Sequence, residues 1–597
     1  MRLSQWKPHQ MNKVTLLTVV LIFPLFVFSQ EEKGDIGTQE VTVIKSYTPS
    51  LQDVFKLRNS PATLDSIVAP KKEVVYSMFS VPVASTFIPS KGTARKLVPK
   101  KQKPQFNSGG SIGFGNFNQL LFEYNTNFNI DRRQKIDWVV YYNGLLKAMQ
   151  EMQLDSKQSN LLFNVSHQYA TSKRNSFSQI NFRQHQQSFY GLRNPIEDDF
   201  ILAQIQPQQR LNYFSVSSAW QWYNPLVKKL SLDSYLTTDA FGSTEVEVDF
   251  SSKFQVLWRG VAITLLPEVT YLTSSFEEDF YTQEAVEYSS GNARLSLFAS
   301  KVNGNFKFKI GAKAAMGIGN EFEETYFFIY PELALSYRPQ KGNFAPFLNL
   351  TGTLQQNSFR ALTHENPYVA PAIRLQAANI PYQAQLGTRS KFVAGWEFQW
   401  NLFYEQNEKQ ALYRNLGIDI DRQNIMPYRY ANAFEVVYAN LHKLGVEAQL
   451  GAAFKNGGRL QFKARYADFS FDSVNKETPL TQQTVFNIPQ LSLHLNGTLK
   501  LGQKFYLQWY VKHLGKRTNA FRDNFLGQDI SNAPVLMEDL DPFTQIDANL
   551  QYQLSERWEI FLKGKNLLNE TLYQWANYPV YGTQILFGGR YNFDLAF

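Results

Sequence analysis

The 597-residue chain contains no cysteine. That excludes disulfide staples, thiolate metal sites, a cysteine nucleophile and the lipid-modified cysteine of a lipoprotein. Long apolar runs are also missing: beyond the N-terminus none approaches the roughly 20 residues that a membrane-crossing helix needs. A soluble chain of this length would show linkers between domains and alternating helical and strand patterns, and neither is visible. A basic binding face is absent too, although the formal charge is +9. Arg2, Lys7 and Lys13 at the N-terminus, and Lys91, Arg95, Lys96, Lys100, Lys101 and Lys103 in one stretch, account for the whole excess. The balanced remainder gives no reason to expect nucleic acid as a partner.

Aromatic residues are plentiful, with 48 Phe, 31 Tyr and 10 Trp, yet the mean hydropathy is −0.33. A transmembrane β-barrel reconciles the two. Its strands alternate lipid-facing and lumen-facing side chains, so the polar half cancels the apolar half in any average. At the N-terminus, Lys13 precedes the apolar stretch Val14 to Phe28, with Val27 and Ser29 as the small residues a signal peptidase reads. Residues 1–29 are therefore expected to be an export signal, starting at Met1 or Met11. An anchor helix is the weaker reading, because the stretch is short for a span and Pro24 interrupts it.

From about residue 106 to 597 the chain reads as alternating runs separated by turn residues. In Leu491 to Leu501, leucines and Gly497 hold one face while Ser492, His494, Asn496, Thr498 and Lys500 hold the other, the period of a strand. Gly502, Gln503 and Lys504 make a tight turn, and Phe505, Leu507, Trp509 and Val511 resume the apolar face. Ile546 to Leu554 repeats the pattern, followed by a short turn at Ser555 and Glu556. A soluble sandwich also alternates. Here, however, alternation persists for almost the whole chain, with short turns set against long polar loops at Asn407 to Asn424, Asp472 to Thr484 and Lys516 to Asp541. About 22 strands can be marked, so the expected fold is an all-β, antiparallel transmembrane barrel over residues 106–597.

The last strand places Ile585, Phe587, Gly589, Tyr591, Phe593, Leu595 and Phe597 on one face and ends on the aromatic. It resembles the C-terminal β-signal read by the outer-membrane assembly machinery. Upstream, Asn566-Leu567-Leu568-Asn569, then Tyr573, Trp575, Asn577, Tyr578, Pro579 and Gly582, resembles the signature that closes TonB-dependent receptor barrels. Gly113, Gly115 and Asn116 at the first hairpin add to the likeness. The resemblance implies a Gram-negative outer-membrane location, contact with outer-membrane lipid and the assembly machinery, and a receptor or uptake role for an unknown solute.

Residues 30–105 read as an extended periplasmic arm, because prolines from Pro49 to Pro104 prevent a long helix. Within it Glu40, Val41, Thr42, Val43 and Ile44 resemble a TonB box, a short peptide that adds a strand to a partner's sheet; TonB or another envelope protein is the implied partner. The family carries a globular plug between box and barrel, and residues 45–108 are too few for one. Two functions stay open: a receptor-like transporter, or a plugless accessory barrel that serves as a structural subunit of an outer-membrane complex. No catalytic signature is present, and neither an enzyme nor a cofactor is expected. His494 falls on the lumen face and His513 on the other, and both lack the neighbours a metal site needs. The loop from Arg360 to Ile380, containing Glu365-Asn366-Pro367-Tyr368, is either a constriction or partner surface, or an ordinary extracellular loop.

Overall fold

The computed structural model describes residues 106–595 apart from 283, 320–324, 341, 393–394, 420–425, 472–484, 525–529 and 531–532. The peptide Glu40 to Ile44, the expected loop at Asp472 to Thr484 and the terminal Phe597 lie outside the described residues.

The first half of the wall is built by β1 (Ser108–Gly115), β2 (Gln119–Asn129), β3 (Gln134–Leu145), β4 (Gln158–Ala170), β5 (Arg174–Ser188), β6 (Gln208–Trp222), β7 (Val227–Thr238), β8 (Thr244–Trp258), β9 (Val261–Phe276), β10 (Val286–Asn303) and β11 (Phe306–Gly319). It continues through β12 (Tyr326–Tyr337), β13 (Phe344–Gln355), β14 (Ala378–Lys391), β15 (Trp396–Asn415), β16 (Phe434–Ala453), β17 (Arg459–Phe471), β18 (Leu491–Leu501) and β19 (Phe505–Leu514). A hairpin of β20 (Arg517–Arg522) and β21 (Val535–Leu540) stands outside the wall, because β19 pairs directly with β22 (Phe543–Gln553). After β23 (Trp558–Lys565) come the short β24 (Tyr573–Trp575) and β25 (Tyr578–Pro579), and β26 (Gln584–Phe593) ends the wall. Among the described residues two helices, α1 (Asp199–Gln204) and α2 (Phe359–Glu365), lie in connections.

β1 pairs with β2 on one side and β26 on the other, so β1 to β19 with β22, β23 and β26 form a closed antiparallel barrel of 22 strands. Closure leaves no sheet edge, the condition for a sheet inside lipid. The two ends differ. At the end where β1 begins and β26 finishes, connections are as short as Arg259-Gly260 and Gly304-Asn305, with Gly260 at φ 76° and Gly304 at φ 56°. The other end carries the long connections, including residues 146–157, 189–207, 356–377 and 566–583.

Two of the expected loops are shorter than the sequence suggested. Asn407 to Asn415 continue β15, beyond a bulge between Asn407 and Gln410 where Lys409 takes φ 60°; the extra residue shifts the alternation and disguises the strand. Much of Lys516 to Asp541 is the β20–β21 hairpin. Arg360 to Ile380 opens inside α2, whose N-cap Ser358 accepts from the Ala361 amide, and closes in β14.

The outward face is lipid-like, with Leu295, Leu297, Phe327, Ile329, Leu386 and Phe587 exposed. Tyr223, Trp258, Phe306, Phe344, Phe392, Phe505 and Trp558 are exposed near the short-turn rim, as the aromatic girdle of an outer-membrane barrel requires. On β26, Tyr591 joins this girdle, 4.7 Å from Trp558 and 5.7 Å from Phe593. The inward face is polar, which is the alternation read from Leu491 to Leu501.

Candidate functional site

The long-loop end is covered by its own connections. Their core holds Phe189, Tyr190, Ile201, Phe280, Phe359, Leu362, Val369, Tyr428, Trp575 and Tyr578, all buried. These residues come from connections after β5, β9, β13, β15 and β23, so segments rooted around the whole ring meet over the mouth. Each fully buried aromatic contributes on the order of 1.5–3 kcal/mol, enough for the connections to pack as one cap.

Tyr578 is at the centre of this cap, 1% exposed. Its ring lies on Tyr368, with centroids 3.4 Å apart and planes 15° apart, and meets Tyr190 edge-on at 5.0 Å. The Tyr578 hydroxyl donates to the Asn432 carbonyl, and the Tyr190 hydroxyl donates to the Pro579 carbonyl at 2.8 Å. Asn432 in turn donates from Nδ2 to the carbonyls of Phe189 at 2.6 Å and Pro427 at 2.8 Å. Burial pushes the Tyr368 hydroxyl up to about 12 and those of Tyr190 and Tyr578 well above the usual tyrosine value, so all three stay neutral. Gly191 permits this packing: a Cβ there would stand 2.7 Å from the Asn577 carbonyl oxygen and from Tyr578 Cε2.

Ion pairs tie the cap to itself and to the wall. Arg429, 2% exposed, pairs with Asp419 and, at 3.0 Å, with Glu278, which also accepts the Tyr428 hydroxyl at 2.5 Å. Arg193 makes a two-pronged contact with Glu538 at 3.1 and 3.2 Å and covers the Phe521 ring at 3.3 Å. The helix α2 is fastened to the barrel. Glu245 accepts the amides of Phe359 at 2.5 Å and Arg360 at 2.9 Å, a carboxylate at a helix start as the helix dipole favours. Arg360 then reaches Glu247 at 2.7 Å. Arg360 to Ile380 therefore packs within the cap and against the wall.

The closing signature belongs to the same structure. Asn566 and Asn569 take φ 48° and 53°, a region asparagine tolerates better than most residues. Asn566 Nδ2 donates to the Glu570 and Tyr581 carbonyls at 3.1 and 3.0 Å. Asn569 Oδ1 accepts the Thr583 amide at 2.9 Å, beside Gly582, where a Cβ would come within 2.9 Å of that oxygen. These residues shape the connection that delivers Tyr578 and Pro579 to the cap. Leu567 and Leu568 remain exposed, and Tyr591 and Phe593 sit far away on the outward face.

No family model matches the chain, and no curated protein is found similar in sequence. Solved structures are similar in fold. The FrpB iron transporter from Neisseria meningitidis (F5-1 variant) superposes with a TM-score of 0.59 at 11% identity, over 82% of this chain and 83% of that one. The ferripyoverdine receptor of the outer membrane of Pseudomonas aeruginosa gives 0.56 at 11%, over 82% and 72%. The ferric-catecholate import receptor Fiu from E. coli K12 gives 0.55 at 9%, over 82% and 82%. The fold is that of a TonB-dependent receptor barrel.

Below the cap, the inward face of the barrel is divided by charge. Asp233, Glu245, Glu247, Asp249 and Glu268 cluster on β7 to β9, answered by Arg360 and by Arg294, 3.4 Å from Glu268. Across the lumen, the charged side chains that β17 to β23 turn inward are mainly cations. Residues Arg459, Gln461, Asn496, Gln508, Tyr510, Asp547, Asn549, Lys563 and Lys565 line a recess of about 490 Å³ there. His494 lies on this inward face, with Nδ1 3.1 Å from the Tyr510 hydroxyl, and His513 lies on the outward face beside Thr544. Among the described residues no group of three or more His, Cys, Asp or Glu could hold a metal ion.

Proposed function

We propose that the chain is an outer-membrane receptor for uptake of a solute, with its own connections closing the outer mouth and the peptide Glu40 to Ile44 as the handle for TonB. The observation that carries this reading is the cap. A 22-strand barrel is wide enough to need an occluding element, and here the connections of five strands interlock over the opening through Tyr578, Tyr368, Asn432 and Arg429. A purely structural barrel has no need of a polar, charge-divided lumen behind a closed lid. Its fold neighbours are named as iron transporter, pyoverdine receptor and import receptor, which supports a receptor role and leaves the solute open.

The test compares solute depletion from a defined medium by cells carrying the full chain, no chain, or the chain without Glu40 to Lys45. Uptake requires a solute, or a family of them, that only the first strain removes. If the three strains deplete the medium identically, the uptake reading fails. One feature favours the second reading, an accessory barrel of a larger complex: residues 45–108 are too few for a globular plug. That reading requires a stable partner protein to co-purify in mild detergent, and a chain that emerges alone contradicts it.

A further inference from the structure

On the inward face, two lysines flank a histidine. Lys463 on β17 is the direct cross-strand partner of His494 on β18, and His494 is the direct partner of Lys512 on β19. Strand spacing of about 4.8 Å makes this a row about 10 Å wide. Four residues further toward the short-turn rim, about 13 Å along the strands, a second row crosses the wall from Arg459 on β17 to Lys563 on β23. The recess lined by Arg459 and Lys563 lies there.

These cations are weakly answered. Lys463 has Glu447 at 3.0 Å. Among the described residues no carboxylate stands within ion-pair distance of Lys512, Arg459 or Lys563. The nearby Asp547 accepts from Gln545 Nε2 at 2.9 Å and from the Asn566 amide at 3.1 Å, and Glu123 and Glu559 act on Lys563 only from beyond ion-pair distance. Elsewhere on the wall, inward lysines are matched: Lys443 meets Glu405 at 2.7 Å and Lys309 meets Glu332. A lumen with low-dielectric walls concentrates the field of such unpaired cations. An anion lying along this wall would be attracted by all of them.

We infer that the β17–β23 wall is a binding site for a polyanionic solute, one carrying several phosphate or carboxylate groups, with Lys463, His494 and Lys512 as its upper contacts and Arg459 and Lys563 as its lower ones. This rests on the uptake reading only in naming the lumen as the solute's path; binding itself is independent of transport.

The experiment titrates tripolyphosphate into the purified full-length chain by calorimetry at low ionic strength. Saturable binding is expected, weakening with added salt and at least tenfold weaker in the Lys463→Gln/Lys512→Gln double variant. Lys443→Gln, whose ammonium is already paired, should bind as the parent does. Unheated gel mobility confirms that each variant forms a barrel. A second measurement needs no variant: tripolyphosphate should protect Lys512 from acetylation several-fold relative to Lys443. Absence of saturable binding, equal loss in Lys443→Gln, or no protection of Lys512 overturns the inference. Depletion of only neutral or cationic solutes by cells would leave uptake standing without this site; tripolyphosphate binding with no solute depleted would do the reverse.

Discussion

Tyr368 and Tyr578 lie ring on ring, centroids 3.4 Å apart, although one belongs to the connection after β13 and the other to the connection after β23. Such a contact fastens two segments that the barrel wall holds apart, and the Tyr578 hydroxyl reaches a third through the Asn432 carbonyl. Tyr578→Ala removes a fully buried aromatic, a change that costs about 3–5 kcal/mol in a packed core. The loss should fall on the cap alone, because the wall is held by strand pairing. Hydrogen exchange is expected to quicken across residues 566–583 and 356–377 while β4 to β19 stay protected. Tyr578→Phe keeps the stack and loses one hydrogen bond, about 1 kcal/mol, so its exchange should be intermediate. Equal exchange in all three proteins would show that the stack does not hold the cap.

Glu245, 1% exposed, links that cap to the wall by accepting the first two amides of α2 and the Ser274 hydroxyl, the last at 3.0 Å. Glu245→Ala leaves those buried donors without an acceptor, and each unsatisfied buried donor costs about 1–3 kcal/mol. Protease cleavage within residues 356–377 of the folded protein should therefore rise at least tenfold. Glu245→Gln, which retains one acceptor oxygen, should show a smaller rise.

The walls were legible in the sequence and the cap was not, for a physical reason. A strand writes its two faces into every second residue, so Leu491 to Leu501 and Phe505 to Val511 announce a hairpin locally, and the register observed from Leu501↔Phe505 to Ser492↔Leu514 confirms it. Where a bulge breaks the alternation, as between Asn407 and Gln410, the same signal misleads and a strand is mistaken for a loop. The cap depends on partners far apart in the chain: Tyr190 with Pro579, Arg193 with Glu538, Asn432 with Phe189. Nothing local in Glu365-Asn366-Pro367-Tyr368 names Tyr578 as its neighbour. The closing signature was visible as a pattern, and only the fold assigns Tyr578 and Pro579 to the mouth and Tyr591 and Phe593 to the outward girdle.

His364, in the last turn of α2, gives the cap a dependence on pH. Its ring packs against Tyr213 at 4.3 Å and its Nδ1 lies 2.8 Å from the Arg360 carbonyl, which accepts. Burial lowers its pKa, and the charges of Arg183 and Arg360 lower it further. A folded pKa below the unfolded value of about 6.5 means that the neutral ring favours the closed cap. That contribution is complete above the unfolded pKa and is lost as pH falls through the folded one. Hydrogen exchange in residues 356–377, corrected for its intrinsic pH dependence, should show loss of protection as pH falls below about 6.5. The ring is partly exposed, so the change should be modest. His364→Gln should flatten it, and an unchanged profile in that variant would assign the pH response to another group.

Adjacent residues on β14 test the two faces directly. Leu386 is exposed on the outward face at 53%, and its cross-strand partners Leu348 and Leu402 continue the apolar surface. Gln385, one residue away, points into the lumen, because successive side chains on a strand alternate. An arginine on the lipid face near mid-bilayer costs about 2–4 kcal/mol, whereas an arginine in a wet lumen is tolerated. Leu386→Arg should therefore lower the stability of the barrel folded into lipid bilayers by that amount, seen as a shift of its denaturant midpoint, with Gln385→Arg close to the parent. Were the two variants to shift equally, or Gln385→Arg to shift more, the assignment of inside and outside on β14 would be wrong. Register carries that assignment from strand to strand, so the inward placement of His494 and Lys512 would have to be reversed with it.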